Sequence, residues 1–405
     1  MARLLLLLPA AGYANQDFIA AAARLDIELV ACADYCPQLA LGWGLPPLMS
    51  VPFDRPDAAL PRVRKALKQP VDAVLAVDDH GQPLAARLRA ALGLPGNLPE
   101  AVAKLTDKLQ FRRLQQALGL RCPAFVEAEG DASAALALGF PLVVKARGLN
   151  ASRGVVRVDD AEQLVRALKQ VERIQARAKR DKQGLLVERF IPGVEAALDG
   201  VLVDGVLQVL AVFDKPDPLD GPYFEETLFV TPSRLPAATQ REFAEAVERA
   251  CVAAGVTEGM VHAEARINDG GVWLLEIAPR GIGGLCGRVL ASTLGMDAAE
   301  IVLRHAVGLP LPSRPNGGAA GVMMIPIPAH GIFHGIDGLD AARAVPGVTG
   351  VDITVQPGQL VAPPPEGAAY LGFLFSRAAT PDRAEAILRE AHAALTVHIQ
   401  PLIEP

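Results

Sequence analysis

Glu264 and Glu276 lie in VHAEARINDGGVWLLEIAPR at 261–280, a stretch that reads as two short strands around a turn. Alternation places His262, Glu264 and Arg266 on one face of the first strand and Val261, Ala263, Ala265 and Ile267 on the other. With Asp269, Gly270 and Gly271 as a three-residue loop, Glu264 falls directly opposite Glu276. Opposed side chains in a hairpin are about 5 Å apart at Cβ, and like charges there repel. A hard divalent cation would relieve that repulsion, since Mg²⁺ takes carboxylate oxygens together with those of a substrate phosphate. A two- or four-residue loop would move the carboxylates out of opposition, and a solvated hairpin would turn both to water.

Other residues suit the same chemistry. In FPLVVKARG, Lys145 follows the apolar run 142–144, and a lysine at the end of a buried strand needs a fixed anionic partner. The next loop, ARGLNASRGV, is rich in small residues whose backbone N–H groups can approach phosphate oxygens. In LLVERFIPGVEAALDGVL, Glu188 and Glu195 bracket a strand end and a Pro-Gly turn. Such a segment can offer backbone groups to an adenine edge and a carboxylate to ribose hydroxyls; alternatively it is an ordinary acidic turn.

The elements that must position these groups begin with an alternation of strand and helix. Strands are expected at 4–8, 28–32 and 73–76, with helices at 16–25, 58–68 and 83–92. This spacing implies an open parallel sheet with helices on both faces. The first turn, PAAGYANQ, lacks G-x-G-x-x-G, which weakens a dinucleotide reading. Asp78, Asp79 and His80 end a strand, a place where ligands bind in such sheets, yet without a partner motif a plain loop is the preferred reading. A helix is expected at 106–118, closed by Gly119, then strands at 141–146 and 155–158 and a helix at 161–179. Strands follow near 185–190, 196–203 and 206–213, an irregular segment at 214–235, and a helix at 237–254. After the carboxylate hairpin, residues 310–405 form a further α+β piece with strands at 350–356 and 370–376 and a helix at 381–396.

At 405 residues the chain calls for two or three domains, and 51% apolar residues suffice to bury them. A formal charge of −6, with the basic stretches 62–68 and 173–182 read as solvated helix faces, argues against nucleic acid as partner. The apolar run 4–8 is short for a signal peptide and ends at Pro9; no run is long enough to span a bilayer. Cysteines at 32, 36, 122, 251 and 286 include no CxxC, which fits reduced thiols in a cytoplasmic protein, without membrane association or a cysteine metal site.

In order and spacing, DKLQFRRLQQALGLRCPAF, FPLVVKARGLNASRGV, LLVERFIPGVEAALDGVL and VHAEARINDGGVWLLEIAPRGIGG resemble the ATP-grasp superfamily. The look is that of its carboxylate–amine ligases of the L-amino-acid ligase, dipeptide-forming type. The resemblance spans the chain and implies a multidomain α/β and α+β fold. An open parallel α/β domain would occupy 1–100, a linker helix and ATP-grasp small subdomain 101–183. A large subdomain with the metal site would occupy 184–309, and a C-terminal α+β subdomain 310–405. By position, Lys108 and Lys145 would contact ATP phosphates under the loop of Ser152, Arg153 and Gly154. Glu188 and the backbone of Phe190 and Ile191 would take adenine, and Glu195 the ribose. Glu264 and Glu276 would hold Mg²⁺, with Mn²⁺ as a substitute. Arg280 would steady the phosphorylated intermediate or substrate carboxylate, for which its planar fork is suited. Lys215 would reach the acyl-phosphate region or lie at the surface; His262, Gly283 and Gly284 would line the substrate pocket, His262 being alternatively a structural histidine. Where many members have asparagine two residues past the second metal glutamate, this chain has Ala278, which leaves the number of metal ions open.

The implied reaction joins a carboxylate and an amine, both small molecules and most simply amino acids, through an acyl phosphate with release of ADP and phosphate. A homodimer would follow from the family. Three other readings stand beside it: an ATP-grasp enzyme of purine, bicarbonate or formate metabolism, a nucleotide-binding protein without turnover, and last a nicotinamide oxidoreductase. Cys286 has no identifiable histidine to activate it, and Gly331 disfavours a metal-binding helix through His330 and His334.

Overall fold

In the computed structural model, residues 1–10, 12–35, 49–128, 132–178, 184–312, 317–367 and 369–402 are described. Cys36 and the expected end of a helix at Lys179 lie outside them. The apolar run near the start forms strand Arg3–Leu8, flanked in parallel by Glu28–Ala33 and Ala73–Ala76, with the short strand Met49–Ser50 at one edge. A strand that is apolar on both faces needs cover on both. Leu5 and Leu7 pack with Val63 of helix Pro56–Ala66 and Leu84 of helix Gln82–Leu92. Leu4, Leu6 and Leu8 pack with Phe18 of helix Asn15–Arg24 and with Ala299 and Leu303 of helix Ala298–Ala306. A helix from far along the chain thus seals the sheet and fixes it to the rest of the molecule.

The helix expected at 106–118 runs Lys108–Ala117, and a further helix, Pro99–Thr106, precedes it. Asp107 separates them by accepting hydrogen bonds from Leu109 N and Gln110 N at 2.9 and 3.1 Å. The cap satisfies N–H groups that a continuous helix would have bonded itself, and it restarts the chain with Lys108 in a first turn.

A four-stranded antiparallel sheet follows, in the order Phe125–Ala128, Leu185–Arg189, Leu142–Ala146, Val155–Val158. Helix Ala161–Arg177 covers it through Leu164, Leu168 and Val171. The largest sheet has eight antiparallel strands, ordered Gly271–Ala278, Gly259–Asn268, Val194–Val203, Val206–Lys215, Leu228–Thr231, Ala319–Ile325, Gly372–Ala378, Val348–Ile353. Helix Ala237–Ala254 packs Phe243 and Val247 on one face of it against Leu198, Val261 and Ala263. The segment expected to be irregular, 214–235, therefore contributes a strand. Leu228–Thr231 is buried throughout and bridges the hairpin half of the sheet to the C-terminal half. Four residues without alternation carry no periodic signal. Gly331–Asp337, which carries His334, is also a strand, in a three-stranded sheet with Leu360–Val361 and Thr396–Pro401.

Replacing the Asp107 cap should be measurable. Asp107→Ala is expected to lower the urea-unfolding free energy by about 0.5–2 kcal/mol through the cap, with Asp107→Ser, which keeps the cap but not the ion pair to Arg147, recovering part of it.

Candidate active site

The hairpin turns on two residues, Asp269 and Gly270, rather than three, with Asn268 Oδ1 accepting from Gly270 N at 2.9 Å. From Asn268↔Gly271 to Ala265↔Leu274 the register follows that tighter turn. Continued unchanged, it would set Glu264 against Leu275 and turn Glu276 to the opposite face. A bulge at Leu275 intervenes, and beyond it Glu264 pairs with Glu276 and His262 with Ala278. The expected opposition is present, reached by a different loop and one extra residue.

A bulge frees carbonyl groups that must be satisfied when buried. Arg112 does this: its Nη1 donates to Leu275 O at 3.0 Å and Leu274 O at 3.3 Å. Gln115 Nε2 adds a bond to Leu274 O at 3.0 Å. The other edge of the same guanidinium grips Glu188, Nε at 2.8 Å and Nη2 at 3.2 Å. Lys145, projecting from strand Leu142–Ala146, closes a second ion pair on Glu188. Burial alone would raise the Glu188 carboxyl, but Arg112 and Lys145 hold it down at about 2.

The charged face of the large sheet is a set of cross-strand rows. Glu195 lies between Arg266 on one neighbour and Lys215 on the other, and His262 lies opposite Asp199. Lys215 ends strand Val206–Lys215 with its side chain 2% exposed, so the surface alternative is set aside. Its Nζ meets Glu195 at 2.6 Å, Glu264 at 3.3 Å, and Glu226. Burial opposes the charge on Lys215, yet the three carboxylates raise its pKa well above the ordinary value. Glu226 is pushed up by burial and by Glu264, against the pull of Lys215. His262 bonds Asp199 through Nδ1 at 2.7 Å and Glu264 through Nε2 at 3.3 Å. Burial would lower the imidazole, but those two carboxylates hold it at about 9, so at neutral pH it donates to both.

Glu195, Glu226 and Glu264 bring oxygens within 4.8 Å of one another, but Lys215 already fills the space between them. Glu276 differs. No hydrogen bond or ion pair joins its side chain to a described residue, although the charges of Lys108 and Arg280 act on it, and Glu264 stands across the rung. An oxygen pair with one unpartnered carboxylate fits a hard divalent cation. Ala278, on the same face as Glu276, supplies no further ligand.

Two spaces adjoin this rung. A slot of about 90 Å³ is lined by Lys108, Lys145, Glu188, Phe190, Ile191 and Glu195. Its outer wall is Phe190, stacked on Phe224 with centroids 6.4 Å apart and flanked by the guanidinium groups of Arg157 and Arg266 at 4.4 and 4.8 Å. The phosphate-type loop closes one end. Ala151 and Ser152 are left-handed at φ 53° and 52°, and Gly154 at 67°, where a Cβ would come within 3.2 Å of Ala146 Cβ. Arg153 belongs to this loop, and Lys108 Nζ donates to Leu149 O at 2.5 Å. Burial lowers the Lys108 pKa, with Glu276 acting against it.

The second space, about 320 Å³, reaches from Glu264 and Glu276 past His262, Arg280, Gly283 and Gly284 to an apolar wall that includes Phe229, Met324 and Phe373. Arg280 is held by Asp79, Nε to Oδ1 at 2.7 Å and Nη2 to Oδ2 at 2.5 Å. Asp79, given a plain loop reading from sequence, is thus part of the site. Its position at a strand's carboxyl end was the available signal. Arg112, Asp199 and Glu226 were not singled out, since each depends on a distant partner. Cys286 lines the chamber with Sγ 3.3 Å from Met324 Sδ, and burial pushes its thiol well above the ordinary value, which rules out a ready thiolate.

Comparison with known proteins bears on the same residues. The ATP-grasp domain family matches residues 138–289, and the family described as L-amino acid ligase C-terminal domain 2 matches 323–400. Carnosine synthase 1 of Gallus gallus is 32% identical over 276 residues, covering 63% of this chain and 30% of that protein. The chain therefore spans less than a third of that relative's length. D-alanine–D-alanine ligase of Pseudomonas putida (strain GB-1) is 33% identical over 233 residues, 53% of this chain and 69% of the ligase. The crystal structure of L-amino acid ligase from Bacillus licheniformis superposes with a TM-score of 0.84 at 27% identity over 99% of each chain. N5-carboxyaminoimidazole ribonucleotide synthetase from Thermotoga maritima shares the fold, with a TM-score of 0.73 at 16% identity over 99% of this chain and 100% of that one.

Arg112→Leu, which leaves Glu188 with one cation and Leu275 O without its donor, is expected to cost about 3–5 kcal/mol in urea unfolding, with Arg112→Lys costing less. The Glu188 carboxyl is depressed in the folded chain, so its stabilisation is complete above the ordinary value of 4.5 and is lost as pH falls towards about 2. Glu188→Gln should therefore flatten the acid limb of stability against pH, measured by chemical unfolding across that window.

Proposed function

The chain belongs to the ATP-grasp family of carboxylate–amine ligases, and from that premise we propose that it joins two amino acids at the expense of ATP. The observation that carries the reading is the Glu264–Glu276 rung between a lysine-lined slot and a chamber headed by Arg280. In this reading the carboxylate of one substrate attacks the γ-phosphate of ATP, the bond to the β-phosphate breaks, and ADP leaves an acyl phosphate. The neutral amine of the second substrate attacks the acyl carbon, phosphate departs together with the proton the nitrogen loses, and an amide remains.

Such chemistry needs charge neutralisation and exclusion of water more than a covalent side chain. Glu264 and Glu276 would hold Mg²⁺, which would offset the charge of the phosphates; Mn²⁺ would accept the same donors. Lys108 and Lys145 would contact the phosphates, beneath the loop of Ser152, Arg153 and Gly154. Phe190 and Ile191 would offer backbone groups and an aromatic face to adenine, with Glu188 behind them and Glu195 towards the ribose. Lys215 holds Glu195, Glu226 and Glu264 together and presents positive charge beside the rung. Arg280 would take the acyl phosphate or the carboxylate that precedes it. His262, fixed by Asp199, would form a chamber wall with Gly283 and Gly284.

On the same reading residues 1–100, 101–183, 184–309 and 310–405 are the working units, with strand Leu185–Arg189 paired into the sheet of the second and the last two sharing one sheet through Leu228–Thr231 and Ala319–Ile325. No helix among the described residues is long and apolar enough to cross a membrane. A cytoplasmic homodimer is the assembly we propose, to be read from its solution mass.

The L-amino acid ligase C-terminal match favours amino acids over bicarbonate or formate as the acid partner. An all-pairs amino-acid screen for ATP-dependent phosphate release, followed by product mass, tests the proposal; turnover with bicarbonate or formate alone would refute it. Glu276→Gln should lower ADP release by at least about 100-fold at saturating amino acids, and unchanged turnover would refute the metal assignment.

A further inference from the structure

Asp79 makes two sets of contacts that no local requirement explains. It follows strand Ala73–Ala76, in a turn fixed by its neighbour: Asp78 Oδ1 accepts from His80 N at 3.0 Å and Gly81 N at 3.3 Å. On that rigid turn the Asp79 carboxylate receives Arg280 bidentately at 2.7 and 2.5 Å. Its Oδ2 also accepts from Asn150 Nδ2 of the phosphate-type loop at 3.0 Å. One carboxylate from the N-terminal sheet thus touches both the loop over the slot and the arginine of the chamber.

The donor count shows what this leaves. A guanidinium has five N–H donors. Two are committed to Asp79, and one on Nη1 goes to Gly281 O at 2.7 Å. The remaining donors on Nη1 and Nη2 are free for an anion, and Asp79 determines where they point. Burial raises the Asp79 pKa, but Arg280 and Asn150 outweigh it and keep the group ionised. The loop side is equally constrained, since the residues after Asn150 are Ala151 and Ser152, both left-handed. Losing the Asn150 contact would release a backbone that is otherwise strained there.

We propose that Asp79 is a positioning residue that couples closure of the 147–154 loop to the aim of Arg280, so that the arginine is set for the acyl phosphate only when the loop is seated over ATP. This rests on the ligase reading for its chemical consequence, but the latch itself can be tested without turnover.

Two measurements are made on the full chain. The first is hydrogen exchange of residues 147–154 with Mg²⁺ and a non-hydrolysable ATP analogue. Wild-type protection is expected to fall by about tenfold in both Asp79→Asn and Asn150→Ala. The second is steady-state ADP release with amino acids. Asp79→Asn is expected to lower kcat by at least about 30-fold with KM for ATP within about threefold, and Asp79→Glu to recover part of the loss. The double variant D79N/N150A should be no slower than Asp79→Asn alone, because both remove one linkage.

Unchanged loop protection in both variants would overturn the proposal. So would losses that multiply in the double variant, or a raised amino-acid KM at unchanged kcat, which would make Asp79 a substrate ligand instead. If Asp79→Asn does not fold, Asn150→Ala decides alone by its loop protection. If wild-type enzyme releases no ADP with any amino-acid pair, the ligase reading fails while the exchange experiment still tests the latch.

Discussion

Crowding of like charge governs this molecule. Glu195, Glu226, Glu264 and Glu276 converge on one face of the eight-stranded sheet, in surroundings where an uncompensated carboxylate costs several kcal/mol. Lys215 answers three of them, His262 answers Glu264 from another side, and Arg266 reaches Glu195 at 3.3 Å. The compensation is incomplete at Glu276. A stability-driven sheet would place apolar residues there, and this residual negative charge is the ground for the cation site proposed above. The fixed cations do a second job, since they hold Glu264 in one orientation before any ligand arrives.

That arrangement requires a register, and Arg112 secures it. One guanidinium holds the bulge that sets Glu264 opposite Glu276 and, on its other edge, the carboxylate that anchors Lys145. The Glu188 end and the Glu264–Glu276 end of the slot are consequently parts of one hydrogen-bonded unit. A displacement of helix Lys108–Ala117 would move both, along with Lys108 at the helix start.

Legibility in the sequence tracks how local the determining forces are. Alternation in 261–267 placed His262, Glu264 and Arg266 on one face, and strand 73–76 and helix 237–254 have the expected bounds, because periodicity within a segment decides them. The opposition of Glu264 and Glu276 was legible, though its cause was not. Leu274 and Leu275 are alike in hydropathy, and the residue that pins the bulge lies 163 positions away from Leu275. Asp79 and Arg280 are 201 positions apart, and nothing in DDH identifies a partner at that range. Leu228–Thr231 failed to show for the converse reason: its pairing on both sides, not its own pattern, makes it a strand. The cap at Asp107 is a feature that local reasoning could have found, since an aspartate followed by helix formers is a start signal.

The loop over the slot shows why so long a chain serves one site. Asn150 contacts the N-terminal sheet, and Gly154 N donates to Pro365 O of the C-terminal part at 3.2 Å. Arg157 N donates to Pro222 O at 2.8 Å, and Gln170 of the covering helix bonds Glu366 at 3.0 Å. Segments from three parts of the fold thus meet the small sheet around its most strained turn. An acyl phosphate reacts readily with water, so a loop that closed on its own would protect it poorly whenever thermal motion opened it. Contacts from several directions make opening a concerted event that must break separate bonds, so the closed state survives local fluctuations that would open a loop held at one point. On the proposed ligase reading, the C-terminal part would be a structural condition for amide formation over hydrolysis.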